Sequence, residues 1–387
     1  MGSAPAFCEE EYQIRLARTR ERLGALGLDG LLAFAPETHY WLTGFETFGY
    51  CFFQCLVVGA DGTLVLLTRA PDRLQALETS IIRDVRVWED REGADPAGEL
   101  AALLWELGFK GGRLGVEWAA HGLTAADGRA LERALSGRVE LVDASGLVDR
   151  LRLVKSNAEL AYVREAAQLA DRALDAALAE ARPGAEEARI LARMQAAVLE
   201  AGGDYPANPF IIGSGRRALL CRYASGRRRL AERDRLTLEF AGVMRHYHAC
   251  LMRTVVVGAP DEEDRRWFAA CREALLRAEE RLYPGVPMDE VFRAQARVLD
   301  ELGFREQRLH ACGYPLGARF APSWMETPLF CRGTSLELAP GMVVFLHIIL
   351  ADQKELRAMT LGRTSLVTAD GPEILSRAPL ELPVAGG

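Results

Sequence analysis

The sequence predicts a two-domain α/β protein: an N-terminal α/β domain over residues 1–150 and a C-terminal α+β domain over residues 151–387. Three observations carry this expectation. A chain of 387 residues is too long for one ordinary domain and suits two. Short apolar runs alternate with helical patterns through the first part, which marks an α/β arrangement. The second part repeats itself, since Arg182-Pro183-Gly184 … Val198-Leu199-Glu200-Ala201-Gly202 returns as Tyr283-Pro284-Gly285 … Leu299-Asp300-Glu301-Leu302-Gly303. Each copy follows a long helical stretch and leads into strand-like segments with polar residues. The two copies are therefore expected to close around a pseudo-twofold axis, with a cleft between their sheets.

Taken in order, residues 9–27 read as a helix with Tyr12, Ile14, Leu16 and Leu23 among its apolar positions, ending at Gly27. Strands are expected at 30–35, 51–58, 63–67, 85–88, 113–116 and 139–142, with helices at 71–79, 97–107 and 125–136. A domain boundary falls near 148–156, where Ser156 or Asn157 can cap the next helix. That helix carries Leu160, Val163, Ala167, Ala170 and Leu174 on one face and stops at Arg182-Pro183-Gly184. A second helix runs to Gly202-Gly203.

Composition narrows the class. With 49% hydrophobic and 26% charged residues the chain reads as a soluble globular protein with ample core. A net charge of -7 argues against nucleic acid as a partner, and Arg227-Arg228-Arg229 reads as a solvated turn. No run of eighteen apolar residues exists, so no membrane span is expected. The N-terminus shows no basic region followed by an apolar one, and the eight cysteines form no CxxC pair. Reduced thiols and a cytoplasmic location follow as expectations.

The chemistry concentrates in residues 238–254. Glu239, Arg245, His246, His248, Cys250 and Arg253 lie there between two apolar runs. Polar groups of that density flanked by strand-like segments suggest a site lining a cavity.

The spacing from Glu239 to Cys250 and on to Arg253-Thr254 resembles the creatinase/aminopeptidase P family, which has the pita-bread fold. Thr38-His39-Tyr40-Trp41-Leu42-Thr43-Gly44 and Arg152-Leu153-Val154-Lys155-Ser156 resemble its N-terminal signature and its inter-domain motif. The resemblance implies a creatinase-like N-terminal domain and a pita-bread catalytic domain. It also implies a homodimer, in which the N-terminal domain of one subunit helps close the other's cleft.

Peptidases of that fold hold two metal ions with Asp, Asp, His, Glu and Glu. Here those positions fall on Glu239, Cys250, Tyr314, His347 and Gly362 or a neighbour. One carboxylate survives of five donors, so a two-metal peptidase is not expected. Glu239, Cys250 and His347 remain legitimate ligand types for a single zinc.

The metal-free branch fits better, and ectoine hydrolase most closely. Its pattern is similar to Glu239, Ala241-Gly242, Tyr247-His248, Arg253-Thr254, Gly313-Tyr314 … Gly317 with Pro322 and Trp324, and Phe45 to Tyr50 with Gln54. The expected function is a cofactor-free hydrolase that cleaves a C–N bond of a small cyclic amidine or amide. Glu239 is the expected nucleophile or base, His248 or His246 a proton shuttle, and Tyr314 a hydrogen-bond donor. Arg253 pairs a substrate carboxylate or a structural acid. Cys250, His347, Arg222, Trp324, Phe48, Tyr50 and Gln54 are expected to line the substrate. The missing histidine at Cys221-Arg222 and the Ser323-Trp324 pair argue against ectoine itself. A non-catalytic ligand- or peptide-binding module is the competing reading, and a mononuclear zinc hydrolase or a creatinase-type amidinohydrolase the third.

Overall fold

A computed structural model describes residues 5–220 and 226–386. The chain forms two units, residues 1–152 and 153–387. The first contains α1 (Glu9–Ala25), β1 (Gly30–Ala33), α2 (Pro36–Thr43), β2 (Cys55–Gly59), β3 (Leu64–Arg69), α3 (Ala70–Thr79), β4 (Asp84–Trp88), α4 (Pro96–Glu106), β5 (Arg113–Val116), α5 (Ala125–Leu135), β6 (Glu140–Asp143) and α6 (Leu147–Arg152). Its six-stranded sheet runs β4-β3-β2-β1-β5-β6, with β2 antiparallel to both neighbours and the other pairs parallel. Two apolar clusters, around Leu32 and Leu100 and around Leu31 and Trp41, fill its interior. The expected elements are present, and α2 and α6 are additional. Residues 38–43 are the body of α2, which Gly44 ends in the left-handed region at φ 85°.

The second unit displays the repeat. Its first run is α7 (Asn157–Glu180), α8 (Glu187–Leu199), β7 (Ile211–Ser214), β8 (Asp234–Met244) and β9 (Tyr247–Val257). The second is α9 (Glu262–Glu279), α10 (Met288–Glu301), β10 (Gly313–Pro315), β11 (Val343–Asp352) and β12 (Arg357–Thr368). The short β13 (Gly371–Ile374) and β14 (Val384–Ala385) attach to β12 and β9. The main sheet runs β10-β11-β12-β9-β8-β7, so the two β-β-β units meet at their third strands. Gly184 and Gly285 take matching left-handed conformations, φ 79° and 80°, which explains why the Pro-Gly pair recurs.

Ser156 caps α7. Its side chain accepts from the Glu159 amide while Glu159 reaches back to the Ser156 amide. The same Glu159 accepts from the Tyr247 hydroxyl at 2.7 Å, tying the helix start to β9. Lys155 is buried, and its ammonium lies 3.5 Å from the Glu326 carboxylate. The Lys-Ser pair thus anchors the domain by one ion pair and one cap.

Helix α7 lies against β8 and β9 on one face of the sheet. Gly242 permits this approach: a Cβ there would stand 1.9 Å from the Ala166 carbonyl oxygen and 2.4 Å from the Ala170 nitrogen. Gly242→Ala is expected to lower the thermal midpoint of the second unit by several degrees, about 2–3 kcal/mol of overpacking. Gly24→Ala, whose methyl meets nothing within 4 Å, is the control. Circular-dichroism melting reads both, and an unchanged midpoint in the Gly242 variant would refute the packing argument.

Candidate active site

Residues directly opposite in an antiparallel pair share a face of the sheet. The register therefore lays Ile211, Glu239, Met252, Gly362 and His347 across the face away from the helices. Beside this row run Thr237, Thr254 and Thr360, the last two joined hydroxyl to hydroxyl at 3.1 Å. On the other side, Ala241 stands opposite Cys250, and the Thr364 hydroxyl bonds the Cys250 amide and carbonyl at 2.8 and 2.9 Å. Thr364 in turn faces Phe345, which faces Tyr314. Glu239 and His347 each stand five residues before the ends of their strands, Met244 and Asp352, so they are repeat mates.

Four strand steps separate Tyr314 on β10 from Glu239 on β8, about 19 Å across a flat sheet. Yet the Tyr314 hydroxyl donates to Glu239 Oε1 at 3.2 Å. The sheet is curled into a cup. Its rim closes where the chain after β10 returns to β9: the His248 amide donates to the Gly317 carbonyl at 3.2 Å, and the Arg319 amide to the His246 carbonyl at 3.0 Å. Gly317 leaves room there for Glu326, whose Oε1 would sit 2.6 Å from an added Cβ.

Trp324 Nε1 lies 2.9 Å from the Tyr314 hydroxyl. An indole can only donate, so the phenol oxygen accepts that proton and points its own at Glu239. Burial, then the Glu239 charge, push the Tyr314 phenol well above its ordinary pKa. The same two causes raise the Cys250 thiol, which stays protonated and is no nucleophile. Glu239 itself is 8% exposed.

The expected site residues divide. Glu239, Tyr314, Trp324, Cys250, His347 and His248 come together on or beside this face. His347 stacks obliquely on Tyr314 and Phe345, with ring centroids 5.7 and 5.5 Å apart. His248 is fully buried, and its Nε2 accepts from the Ala207 amide at 2.9 Å. Burial, then the neighbouring His246, hold it near pKa 3. It is therefore a neutral imidazole whose Nδ1 bears hydrogen, a donor and not a proton shuttle at neutral pH.

His246 is not on the strand. With Arg245 it forms the two-residue turn between β8 and β9, both with positive φ (65° and 49°), and its ring stacks on Phe320 at 4.3 Å.

Arg253 is a correction. Three residues beyond Cys250, it points to the helix side of the sheet, and its Nη1 donates to the Met252 and Gly362 carbonyls at 2.9 and 2.7 Å. Burial, then Arg363, lower its pKa to about 10. It braces the centre of the sheet and does not meet a substrate at Glu239.

Gln54 is buried inside the first unit, donating to the Thr68 hydroxyl at 2.7 Å, so it lines no surface. Phe48 is 79% exposed there and Tyr50 half-buried. Arg222 and Cys221 lie outside the described residues. Sequence reasoning missed Asn208, whose Oδ1 accepts from the Trp324 amide at 3.1 Å, and the partnering of Glu326 with Lys155.

The donor set does not fit the two-ion centre of the peptidases. A phenol and a glycine stand at two of the five positions, and the thiol is held protonated. No three His, Cys, Asp or Glu side chains among the described residues are grouped closely enough to hold a metal ion. Glu239, Cys250 and His347 share a face without forming such a group.

Cup, repeat and site define a pita-bread domain, and the wider comparison agrees. Residues 161–369 match the metallopeptidase family M24, and residues 15–154 match the Creatinase/Prolidase N-terminal domain. The chain belongs to family M24 and is a hydrolase of that family. It is 30% identical over 391 residues to an uncharacterized hydrolase/peptidase, y4tM, of Sinorhizobium fredii, covering 98% of both chains. It is 27% identical over 393 residues to the ectoine hydrolase of Halomonas elongata, covering 97% of this chain and 98% of that one. The solved dipeptidase PepE from Mycobacterium ulcerans superposes with a TM-score of 0.86 at 25% identity, over 98% of this chain and 100% of that one. No helix among the described residues is long and apolar enough to cross a membrane.

The buried neutral His248 has a consequence for acid stability. An unfolded histidine takes up a proton below about 6.5 and the folded one resists to about 3, so stability falls as pH drops through that window. His248→Gln keeps an acceptor for the Ala207 amide and removes the titration. Denaturant unfolding between pH 6.5 and 4 is expected to show a slope shallower by up to one proton, about 1.4 kcal/mol per pH unit. Equal slopes would place the histidine in a solvated site.

Proposed function

We propose that this protein hydrolyses a C–N bond of a small cyclic amidine or amide without a metal ion, with Glu239 as the reacting carboxylate. The observation that carries the reading is the Trp324–Tyr314–Glu239 chain of hydrogen bonds. It fixes one carboxylate at the centre of the cup and sets a protonated phenol against it.

An amidine carbon between two nitrogens is electrophilic, the more so when protonated. A buried carboxylate beside it favours that cation, and then either adds to the carbon, to be displaced by water in a second step that regenerates it, or takes a proton from the water that adds. The C–N bond breaks as the tetrahedral centre collapses, and the leaving nitrogen needs a proton. Tyr314 is the hydroxyl positioned at Glu239 to supply it. His248 Nδ1–H serves as a fixed neutral donor. The likeness to ectoine hydrolase over nearly the full chain supports this substrate class, and the replacement of the peptidase donors supports metal independence. The working form is read as a cytoplasmic homodimer.

The test is turnover on a panel of cyclic amidines, ectoine included, beside Xaa-Pro dipeptides with and without added manganese. Glu239→Gln is expected to lose at least about 10³-fold in kcat, and Tyr314→Phe roughly 10–100-fold with little change in KM. Elemental analysis of protein purified without added metal should find no stoichiometric zinc or manganese. Full activity in Glu239→Gln refutes the assignment. Dipeptide turnover that requires metal moves the protein to the peptidases, and ligand binding without turnover makes it a binding module.

A further inference from the structure

The row of residues carrying Glu239 is flanked by two unlike rows. On one side lies the row that ends in Tyr314, whose hydroxyl donates to Glu239 Oε1. On the other lies Thr237, two residues before Glu239 on β8 and on the same face of the sheet. Thr237 stands opposite Thr254 on β9 and Gly213 on β7. The Thr254 and Thr360 hydroxyls bond each other at 3.1 Å, and the Thr360 amide donates to Thr254 Oγ1 at 2.8 Å. Gly213 brings no side chain. Thr237 is 4% exposed, and its buried hydroxyl has no hydrogen-bond partner among the described residues.

A hydroxyl sealed from water without a partner lowers stability, because the hydrogen bonds it made to water in the unfolded chain are not replaced. Valine has nearly the same shape and no such loss, so packing alone does not call for threonine here. A hydroxyl kept at a cost in stability beside a reacting carboxylate is a group placed for a ligand.

Spacing says which ligand. Side chains two residues apart on one face of a strand stand about 7 Å apart along it. A six-membered cyclic amidine is a cation at neutral pH, and its two N–H groups diverge from ring atoms on either side of the reacting carbon. Acceptors bonded to both, each about 2.9 Å from its nitrogen, stand roughly 7 Å apart. A lactam presents its N–H and C=O on neighbouring ring atoms, so its two partners stand only about 4 Å apart. A carboxylate offers about four acceptor sites, so the Tyr314 bond leaves Glu239 able to accept from a substrate.

We propose that Thr237 is a specificity-determining residue of this active centre. In the substrate complex its hydroxyl accepts one N–H of a cyclic amidinium while Glu239 accepts the other. The substrate is then an amidine bearing hydrogen on both ring nitrogens, and amides and N-alkylated amidines are disfavoured. The inference rests on Glu239 being the reacting carboxylate, and it chooses the amidine over the amide.

Titration calorimetry of the full chain with tetrahydropyrimidine, its N-methyl derivative and valerolactam tests the contact apart from turnover. The parent is expected to bind tetrahydropyrimidine at least about tenfold tighter than either of the other rings. Thr237→Val should bring the two amidines to nearly equal affinity, and Thr237→Ser should keep the parent's preference. Thr237→Val is expected to melt no lower than the parent, because the hydroxyl it removes has no partner in the free protein. A preference retained in Thr237→Val overturns the proposal. So does a midpoint several degrees lower, which makes the hydroxyl a contact of the fold.

In turnover, Thr237→Val should lose about tenfold in kcat/KM on tetrahydropyrimidine, carried by KM, and little on the N-methyl ring. Ring opening with kcat/KM untouched by the substitution leaves the hydrolase and removes the contact. The binding preference with no ring opened leaves the contact and removes the hydrolase. Binding of neither amidine overturns the proposal.

Discussion

Everything at the site depends on the curl of the second sheet. Pairing of β9 with β12 joins the two halves at Arg253–Leu361, Met252–Gly362 and Leu251–Arg363. Helix α7 crowds one side of the sheet at β8 so closely that Gly242 has no room for a methyl group. With one face so loaded the sheet bends toward the other, and the edge strand β10 comes round until Tyr314 meets Glu239. Straighten the sheet and that bond is lost, because no local segment carries both residues. Arg253 belongs to this constraint. It reaches across the seam from β9 to the Gly362 carbonyl of β12, sharing the helix side with the bidentate Arg363–Glu279 pair. A buried cation there serves the geometry of the cup and no substrate.

The fold was largely legible because its signals are periodic. Repeated Pro-Gly turns, the Ser156 cap and the alternation of apolar runs each have a local physical cause, and each appears where that cause acts. Two site errors have equally definite origins. Arg253 lies an odd number of residues from Cys250, so strand alternation alone puts it on the other face, and the spacing motif drew attention away from that parity. The turn at Arg245-His246 carries no glycine, asparagine or aspartate, so nothing local announces two residues of positive φ. Long-range contacts hold it instead: the Asp204 carboxylate on the His246 amide at 3.1 Å, the Arg319 amide on its carbonyl, and Phe320 on its ring. Gln54 reads as a polar residue near aromatics and turns out to be a core hydrogen bond.

The protonation states around Glu239 follow from burial more than from charge pairing. Cys250 and Tyr314 are held in their acid forms and His248 in its base form, so all three are neutral. A neutral surround strengthens any interaction the Glu239 carboxylate makes, because few competing charges or waters screen it. It also removes the alternatives, since neither the thiol nor the buried imidazole titrates near neutrality.

The repeat gives the backbone a twofold relation that the side chains break. Glu239 and His347 are mates in β8 and β11, as β9 and β12 are mates across the seam, yet one position holds a carboxylate and the other an imidazole ringed by Tyr314 and Phe345. A pair of metal ions is served by acidic donors on both halves, because each ion needs charge from its own side. A reaction that adds a nucleophile on one side and releases a nitrogen on the other has a direction, and it needs different groups on the two sides. For the reaction proposed above, the histidine at Glu239's mate and Tyr314 at the rim are that difference. What a symmetric fold cannot provide by its backbone, a donor phenol facing an acceptor carboxylate, this chain provides by breaking the symmetry at the side chains alone.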